Sequence, residues 1–286
     1  MLTAGTLQSR QLANTLHRAG IDFDVVSFAY PPPPRRNTSR ARQAVRQLTA
    51  YLKSVRLLRA IGQWRLPAFP RAVRYVGYCN GERMLDELRR RQPDYILMMG
   101  GCILSAAAIA TAKVGVLNSH PGLLPWARGM DVMEHSLLRD IPVGATGHYI
   151  DVGIDTGPLL LRYLLPVERE TTRARLHDQL TTLCTALMFE MVSRVSRGES
   201  LVGQVQEEKF PYCKRLTPKE SEEAERLAIS GKPIELYHKW RNEQTDIPDG
   251  SAILRHTTGG DPGTVPDAER LVSRTVRETG APTRRR

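Results

Sequence analysis

The run DYILMMG, residues 94–100, constrains the fold most strongly, because its apolar centre shows no alternation with polar side chains. A strand of this kind is buried on both faces, as in a parallel sheet that helices cover on each side. Other strand-like runs alternate with helix-like runs over the first 120 residues, and they are LTA, FDVVSF, AVRYVGY and VGVLN. This alternation predicts an α/β fold with a doubly wound, mostly parallel sheet. In such sheets ligands bind beyond the carboxyl ends of the strands.

Composition divides the chain of 286 residues into three parts. Residues 1–200 hold the strand–helix alternation and end in a long amphipathic helix over about 172–197, which predicts one main domain. Residues 201–245 predict a short helical C-terminal extension. Between residues 246 and 286, Gly, Pro, Thr and Arg dominate and aromatic residues are absent, which predicts a disordered basic tail.

The formal net charge of +11 favours anionic partners such as phosphates, nucleotides or nucleic acid. Residues 31–75 contain eleven Arg or Lys and no Asp or Glu. Apolar side chains recur in this segment at helical spacing, so we predict a basic amphipathic helix over about 37–62. A core-facing stripe with a solvated basic back explains this helix more simply than a dedicated anion-binding or partner surface.

The four cysteines, Cys79, Cys102, Cys184 and Cys213, lie far apart in the sequence and form no CxxC pair. Their spacing predicts no zinc site and no need for disulfides, so we expect a reducing, cytoplasmic location. The chain does not open with a basic segment followed by an apolar core, and no run approaches about eighteen apolar residues. We therefore expect neither a signal peptide nor a membrane span.

One apolar strand ends abruptly in polar residues, because VGVL is followed by Asn118, Ser119 and His120. Side chains alternate along a strand, so Asn118 and His120 point to the same side while Ser119 points to the opposite side. Pro121 follows at once and biases the backbone of His120 toward an extended conformation. The amide and the imidazole are therefore predicted to point together into the cleft beyond the strand.

The stretch GATGHYIDVGIDTGP carries a second group of polar residues, with His148 on an alternating strand and Asp151 and Asp155 in the following loop. A carboxylate raises the proton affinity of a nearby imidazole, and an amide donor stabilises a developing oxyanion. Without an obvious Ser or Cys nucleophile, this set suggests acyl transfer directly to an incoming amine. Taken singly, each residue has a simpler structural role: Asn118 as a turn former, His148 as a half-buried histidine, Asp151 as a loop cap.

Together, NSHPGLLPWARG and GATGHYIDVGIDTGPLL resemble the signature of the folate-dependent formyltransferase family. That family includes methionyl-tRNA, glycinamide ribonucleotide and amino-sugar formyltransferases. The resemblance covers roughly residues 70–170 well and the rest of the first half loosely. It implies a Rossmann-like formyltransferase fold with a catalytic domain over residues 1–200. It also implies 10-formyltetrahydrofolate as the formyl donor, and no metal.

The resemblance assigns catalysis to Asn118, His120 and Asp155, with His148 supporting Asp155. In this assignment Asn118 and protonated His120 stabilise the oxyanion. Asp155, hydrogen-bonded to His120, moves a proton from the amine to the departing folate nitrogen. Two loops, residues 101–105 and 151–155, are expected to receive the pterin of the donor. The residues expected to bind the donor are Gly101, Cys102, Ile103, Leu104, Asp151, Val152, Gly153 and Asp155.

The sequence departs from the family at several points. Several members place Arg where this chain has Cys102, so one polar contact to the pterin or to the aspartate loop is expected to be missing. AGTLQSRQ replaces the Gly-rich phosphate loop of glycinamide ribonucleotide formyltransferase, which argues against that substrate. Within it, Gly5, Ser9 and Arg10 could still meet an acceptor phosphate at a helix N-terminus. After residue 210 few strand-like runs occur, which argues against the C-terminal barrel of the tRNA enzyme.

The leading interpretation is therefore an N-formyltransferase that acts on a primary amine of a small metabolite, phosphorylated or nucleotide-linked. A nucleotide-linked amino sugar or an amino-acid-derived natural product would fit. Nucleic acid is not expected as a partner, and the sequence does not determine the oligomeric state. Three alternatives stay open: a hydrolase that releases formate from the same donor, an enzyme like methionyl-tRNA formyltransferase, and a catalytically silent folate-binding or RNA-binding module.

Overall fold

A computed structural model describes residues 1–30, 66–99, 101–207, 210–243 and 246–257. The predicted basic helix over about 37–62 lies outside the described residues, as does most of the basic segment 31–75. Residues 258–286 of the predicted tail also lie outside them.

The described residues contain seven strands, which form one sheet in the spatial order β3-β2-β1-β4-β5-β6-β7. The pairings among β1 to β5 are parallel, whereas β6 pairs antiparallel with both β5 and β7. The loop between β6 and β7 is too short for a crossover helix, so these two strands must run antiparallel. This sheet confirms the predicted α/β fold. The strands are β1 (Leu2–Thr3), β2 (Val25–Ala29), β3 (Val73–Tyr78), β4 (Tyr95–Met99), β5 (Gly115–His120), β6 (Gly144–Tyr149) and β7 (Leu159–Leu164).

The helices begin at capping residues that the sequence supplies. Thr6, Thr172 and Thr217 each accept a hydrogen bond from the backbone N–H three residues later, which satisfies a donor that the first helical turn leaves unpaired. Thr217 and Glu220 also form a reciprocal capping box. The helices are α1 (Leu7–Arg18), α2 (Glu82–Arg91), α3 (Ala106–Ile109), α4 (Val132–Leu138), α5 (Arg173–Ser196), α6 (Pro218–Ile229), α7 (Lys232–Glu243) and α8 (Ser251–Thr257).

Both faces of the sheet are covered, and β4 divides the two cores. Leu97 packs into the core beneath α1 and α5, while Ile96 and Met98 pack into the core beneath α2 and α3. All three side chains are at most 6% exposed, as the unbroken apolar run DYILMMG predicts. The carboxyl ends of the parallel strands therefore open at one edge between two helical layers, where an α/β sheet forms its binding cleft.

The C-terminal boundary predicted at residue 246 is wrong, because residues 246–257 fold against the main domain. Ile247 and Ile253 are buried in the same core as α5, and α8 packs along that long helix. Tyr237 on α7 belongs to this core as well. Apolar contact with α5 offsets the entropy of ordering this segment, which composition alone does not indicate. Within the described chain, no helix is long and apolar enough to cross a membrane.

Candidate active site

Antiparallel pairing of β5 with β6 brings the two polar motifs together. Asn118 lies directly opposite His148 in the ladder, so both side chains project from the same face of the sheet. The Asn118 Nδ2 atom is 3.0 Å from His148 Nε2. The predicted convergence of these two residues therefore follows from strand register, although they are thirty residues apart in the sequence.

The hydrogen bonds of His148 determine which ring nitrogen carries the proton. Nδ1 lies 2.8 Å from the carbonyl oxygen of Tyr149, which can only accept, so Nδ1 donates. Nε2 is then free to accept from the Asn118 amide. Burial, and after it the neighbouring His120, lower the pKa of His148 to about 4. At neutral pH, His148 is thus an uncharged acceptor that orients the Asn118 side chain.

His120 is buried under the loop that follows β5. Its Nε2 donates to the carbonyl oxygen of Ala127 at 2.7 Å. A Cβ atom at Gly122 would lie 2.6 Å from that same oxygen and 3.0 Å from Nε2, so only glycine lets the loop close over the ring. The other nitrogen, Nδ1, is 3.5 Å from Asp155 Oδ1. Both ring nitrogens of His120 therefore face protein atoms.

Asp155 completes the cluster from the loop between β6 and β7. Its Oδ2 accepts the backbone N–H of Gly129 at 2.9 Å, and its Oδ1 lies 3.8 Å from His148 Nε2. The carboxylate is 15% exposed and borders the cleft. The backbone of Asp155 is left-handed, with φ of 54°. This conformation turns the side chain back toward the two histidines, and Asp tolerates it better than most residues.

Asp151 also has an internal role in this loop. Its Oδ1 accepts from the Gly153 N–H at 3.0 Å and from the Thr156 hydroxyl at 2.7 Å. These bonds form a tight turn on which the position of Asp155 depends. Asp151 still borders the cleft, but its carboxylate is largely engaged in holding the loop.

The predicted donor loop, residues 101–105, is fastened to the end of β3. Asn80 donates to the Ile103 carbonyl at 2.8 Å and accepts from the Ser105 N–H at 2.8 Å. Tyr30 accepts from the Gly101 N–H through its hydroxyl at 3.0 Å. The loop is thus held in place by side chains from β2 and the β3–α2 turn.

A disulfide joins Cys79 to Cys102, contrary to the expectation that no cysteines pair. The two residues are 23 positions apart, yet the fold places the end of β3 beside the loop that follows β4. Sequence spacing did not predict this contact, because it arises from the carboxyl ends of the strands meeting at one edge. Cys184 and Cys213 are not disulfide-bonded, and burial raises the pKa of the Cys184 thiol to about 12.

These loops and strand ends enclose a cavity of about 620 Å³. Nearly all predicted site residues line it: Asn118, His120, His148, Asp155, Gly101, Cys102, Ile103, Leu104, Asp151 and Gly153. Val152 does not, and its side chain is 76% exposed outside the cavity. Further lining residues that the sequence did not single out include Gln8, Met130, Thr181, Thr185 and Tyr212. Their positions depend on loop and helix packing, for which the sequence carries no local signal.

The geometry at the start of α1 does not support the phosphate site considered there. Arg10 turns away from the cavity, donating to the Pro67 carbonyl at 2.9 Å and lying over the Phe69 ring at 4.6 Å. Ser9 is buried and donates its hydroxyl to the Thr6 carbonyl. Among the described residues, the cavity lining contains no Lys or Arg, and no cluster of His, Cys, Asp and Glu suits a metal ion.

Comparison with known proteins finds similarity over the same region. The model of the formyl transferase family matches residues 78–192. Methionyl-tRNA formyltransferase from Ectopseudomonas mendocina is 29% identical over 203 residues, covering 66% of this chain and 63% of that protein. The enzyme of the same name from Pseudomonas syringae pv. syringae is 31% identical over 170 residues, covering 56% and 54%. The chain thus spans less than two thirds of the length of these curated relatives.

A solved structure agrees with the fold. A sugar N-formyltransferase from a Shewanella species superposes with a TM-score of 0.54 at 14% identity, covering 80% of this chain and 86% of that one. The family match contains both polar motifs and every residue of the Asn118, His120, His148 and Asp155 cluster. Over residues 78–192, this chain is therefore similar to the formyl transferase family.

Proposed function

We propose that this chain is an N-formyltransferase that moves the formyl group of 10-formyltetrahydrofolate to a primary amine of a small metabolite. The observation that carries this proposal is the convergence of Asn118, His120, His148 and Asp155 on one cavity. Among the described residues, no Ser or Cys side chain is hydrogen-bonded to these four residues. An amide donor, a carboxylate and two imidazoles suit direct acyl transfer to nitrogen.

The two loops expected to hold the donor face each other across the cavity. Ile103 is 65% exposed and Ile154 is 38% exposed, so both present apolar surface to an incoming ligand. Residues 101–104, 151 and 153–155 line the same space, which suits a flat heterocycle with polar edges. When bound, the donor supplies a formyl group on a nitrogen that leaves as a secondary amine. We assign Gly101 to Leu104 and Asp151 to Asp155 to its binding.

Asn118 is assigned to the oxyanion. Its amide nitrogen carries two hydrogens, and the bond to His148 uses one of them. The second hydrogen remains for the formyl oxygen, on which negative charge develops as the amine attacks. A preorganised donor of this kind contributes on the order of 10²–10³ in rate. His148 acts through Asn118, because it prevents the amide from presenting its oxygen instead.

We assign the proton transfer to Asp155 and His120. Because His120 donates from Nε2 to the Ala127 carbonyl, its Nδ1 is the nitrogen that faces the Asp155 carboxylate, 3.5 Å away. The pair is therefore suited to take up the proton that the attacking amine loses. The new N–C bond forms, the bond from the formyl carbon to the folate nitrogen breaks, and that nitrogen receives the proton. In this assignment His120 acts together with the Asp155 carboxylate, whereas the sequence led us to expect that it stabilises the oxyanion.

The acceptor is assigned to the side of the cavity that the donor loops leave open. There the described lining consists of uncharged polar and apolar residues, among them Gln8, Thr181 and Tyr212. The volume of about 620 Å³ lies within the range of small-molecule sites. An amino sugar is consistent with these hydroxyl and amide groups. The curated relatives are methionyl-tRNA formyltransferases, which favours methionyl-tRNA as a second candidate acceptor.

The test is incubation of the chain with 10-formyltetrahydrofolate and a panel of acceptors, with mass detection of formylated products. The panel contains nucleotide-linked amino sugars, free amino acids and methionyl-tRNA. A formylated small amine supports the proposal, and formylation of methionyl-tRNA alone replaces the small acceptor with the tRNA. Formate release with no transfer to any amine indicates a hydrolase and contradicts the proposal. Tetrahydrofolate binding with neither outcome indicates a silent binding module.

A further inference from the structure

The segment that follows α5 returns to the aspartate loop, although it lies outside the region matched by the family model. Gln204 exchanges backbone hydrogen bonds with Leu159 at the start of β7, both 2.8 Å long. Gln204 therefore forms an isolated antiparallel bridge at the β7 edge of the sheet. This places Gln206 beside the loop that carries Asp155.

The burial pattern of this segment is the reverse of an ordinary surface strand. Val202 is 86% exposed and Val205 is 70% exposed, while Gln206 is partly buried. The side chains of Val202 and Val205 thus stay exposed, whereas the amide of Gln206 points inward. An inward amide needs hydrogen-bond partners to offset its desolvation.

Those partners are two backbone carbonyls of the aspartate loop. Gln206 Nε2 donates to the carbonyl oxygen of Asp155 at 3.1 Å and to that of Gly157 at 2.7 Å. The amide therefore uses both of its hydrogens, one on each side of Thr156. No other side chain makes a hydrogen bond to these two carbonyls among the described residues for which bonds are resolved.

The loop needs such a clamp because its backbone is unfavourable at Asp155. A left-handed conformation of a non-glycine residue persists only where the surroundings hold it. On the inner side the loop is already tight, since a Cβ atom at Gly157 would lie 1.9 Å from the Tyr149 carbonyl oxygen. Gln206 closes the outer side. Together they fix the direction in which the Asp155 carboxylate leaves the backbone.

We infer that Gln206 is a positioning residue, which holds the backbone of Asp155 so that its carboxylate stays between His120 and His148. The kinetic part of this inference rests on the proposed function. Gln206 does not itself line the cavity, so it acts through the backbone of the aspartate loop. The C-terminal segment is then part of the active-site framework.

Gln206→Ala, Gln206→Glu and the matched control Gln204→Ala test this inference. Gln204 is the same residue type two positions away, its side chain is exposed, and it pairs through its backbone only. Displacing a catalytic group by about 1 Å costs on the order of 10²-fold, so we expect kcat of Gln206→Ala to fall about 10- to 100-fold. The KM for the donor should change by less than about twofold, since the binding surfaces remain. Gln206→Glu should fall at least as far, because a carboxylate cannot donate.

Hydrogen–deuterium exchange of residues 151–157 provides a readout that does not depend on turnover. Faster exchange in both Gln206 variants than in wild type and Gln204→Ala supports the clamp, even if no amine is ever formylated. In that event the proposed function fails while the positioning inference stands. Unchanged exchange in folded Gln206→Glu would overturn it, and so would equal losses of kcat in the Gln204 and Gln206 variants.

Discussion

The charge state of His148 makes a quantitative prediction for stability. In the folded protein the pKa of this residue is lowered to about 4, chiefly by burial. In the unfolded chain it has the ordinary value of about 6.5. Above pH 6.5 both states are neutral at this position, and the residue contributes no pH dependence. Between pH 6.5 and 4 the unfolded chain binds a proton that the folded chain does not, so acid favours unfolding.

The size of the effect follows from that interval. Each pH unit below 6.5 lowers the free energy of unfolding by about 1.36 kcal/mol. The 1.5 units down to pH 5 therefore lower it by about 2 kcal/mol. We expect His148→Gln to remove this contribution, so that its free energy of unfolding falls less than that of wild type between pH 7 and pH 5. The difference between the two falls should be about 2 kcal/mol, measured by urea unfolding with linear extrapolation.

The control is His17→Gln, which removes an exposed histidine at the end of α1. It should retain the wild-type pH dependence, because this substitution leaves the buried cluster around His148 unchanged. Losing the contact with Asn118 lowers the stability of His148→Gln by the same amount at both pH values. This loss therefore cancels when the change in the free energy of unfolding between pH 7 and pH 5 is compared. Equal losses of stability in wild type and His148→Gln between pH 7 and pH 5 would refute a buried, neutral His148. The orientation assigned to the Asn118 amide would then be refuted as well, because it depends on a neutral His148.

Three further predictions concern single features of the structure. Asn118→Ala should lower kcat on the order of 10²–10³-fold with little change in donor KM, and a loss below about fivefold in steady-state assays would contradict the oxyanion role. The raised pKa of His177, caused mainly by its hydrogen bond to buried Glu134, gives stability that is present below the ordinary pKa of about 6.5 and is lost as pH rises through the folded pKa. His177→Gln should therefore destabilise the protein more at pH 6 than at pH 9 in urea unfolding. Thiol titration of the denatured chain should find two reactive cysteines before reduction and four after it, and four before reduction would contradict the disulfide in the donor loop.

Sequence patterns predicted the parts of the molecule that depend on local periodicity. The unbroken apolar run of β4 specified a strand buried on both faces, and alternation placed Asn118 and His120 on one side of β5. The position of Asp155 came from the resemblance to a known family, since nothing in its local sequence distinguishes it from Asp151. The structure separates the two aspartates, because the carboxylate of Asp151 folds back onto its own loop.

The features that sequence analysis missed depend on contacts between distant segments. Cys79 and Cys102 meet because two strand ends converge, and Gln206 reaches the aspartate loop only after the long helix has crossed the sheet. Ile247 and Ile253 pack on the core, but they lie in a stretch rich in polar and small residues. The average composition of this stretch therefore predicted disorder for both of them. Such contacts have no periodic signature, and only the folded chain reveals them.

Single-turnover transfer of a carbon-13 formyl group tests the central claim most directly. Wild type, Asp155→Asn and the control Asp178→Asn, an exposed aspartate on α5, are mixed with labelled donor and an amine found in the acceptor panel. Donor binding is measured in parallel. The account predicts that wild type and Asp178→Asn transfer the label, and that folded, donor-bound Asp155→Asn does not. Transfer by Asp155→Asn at the wild-type rate would contradict the account.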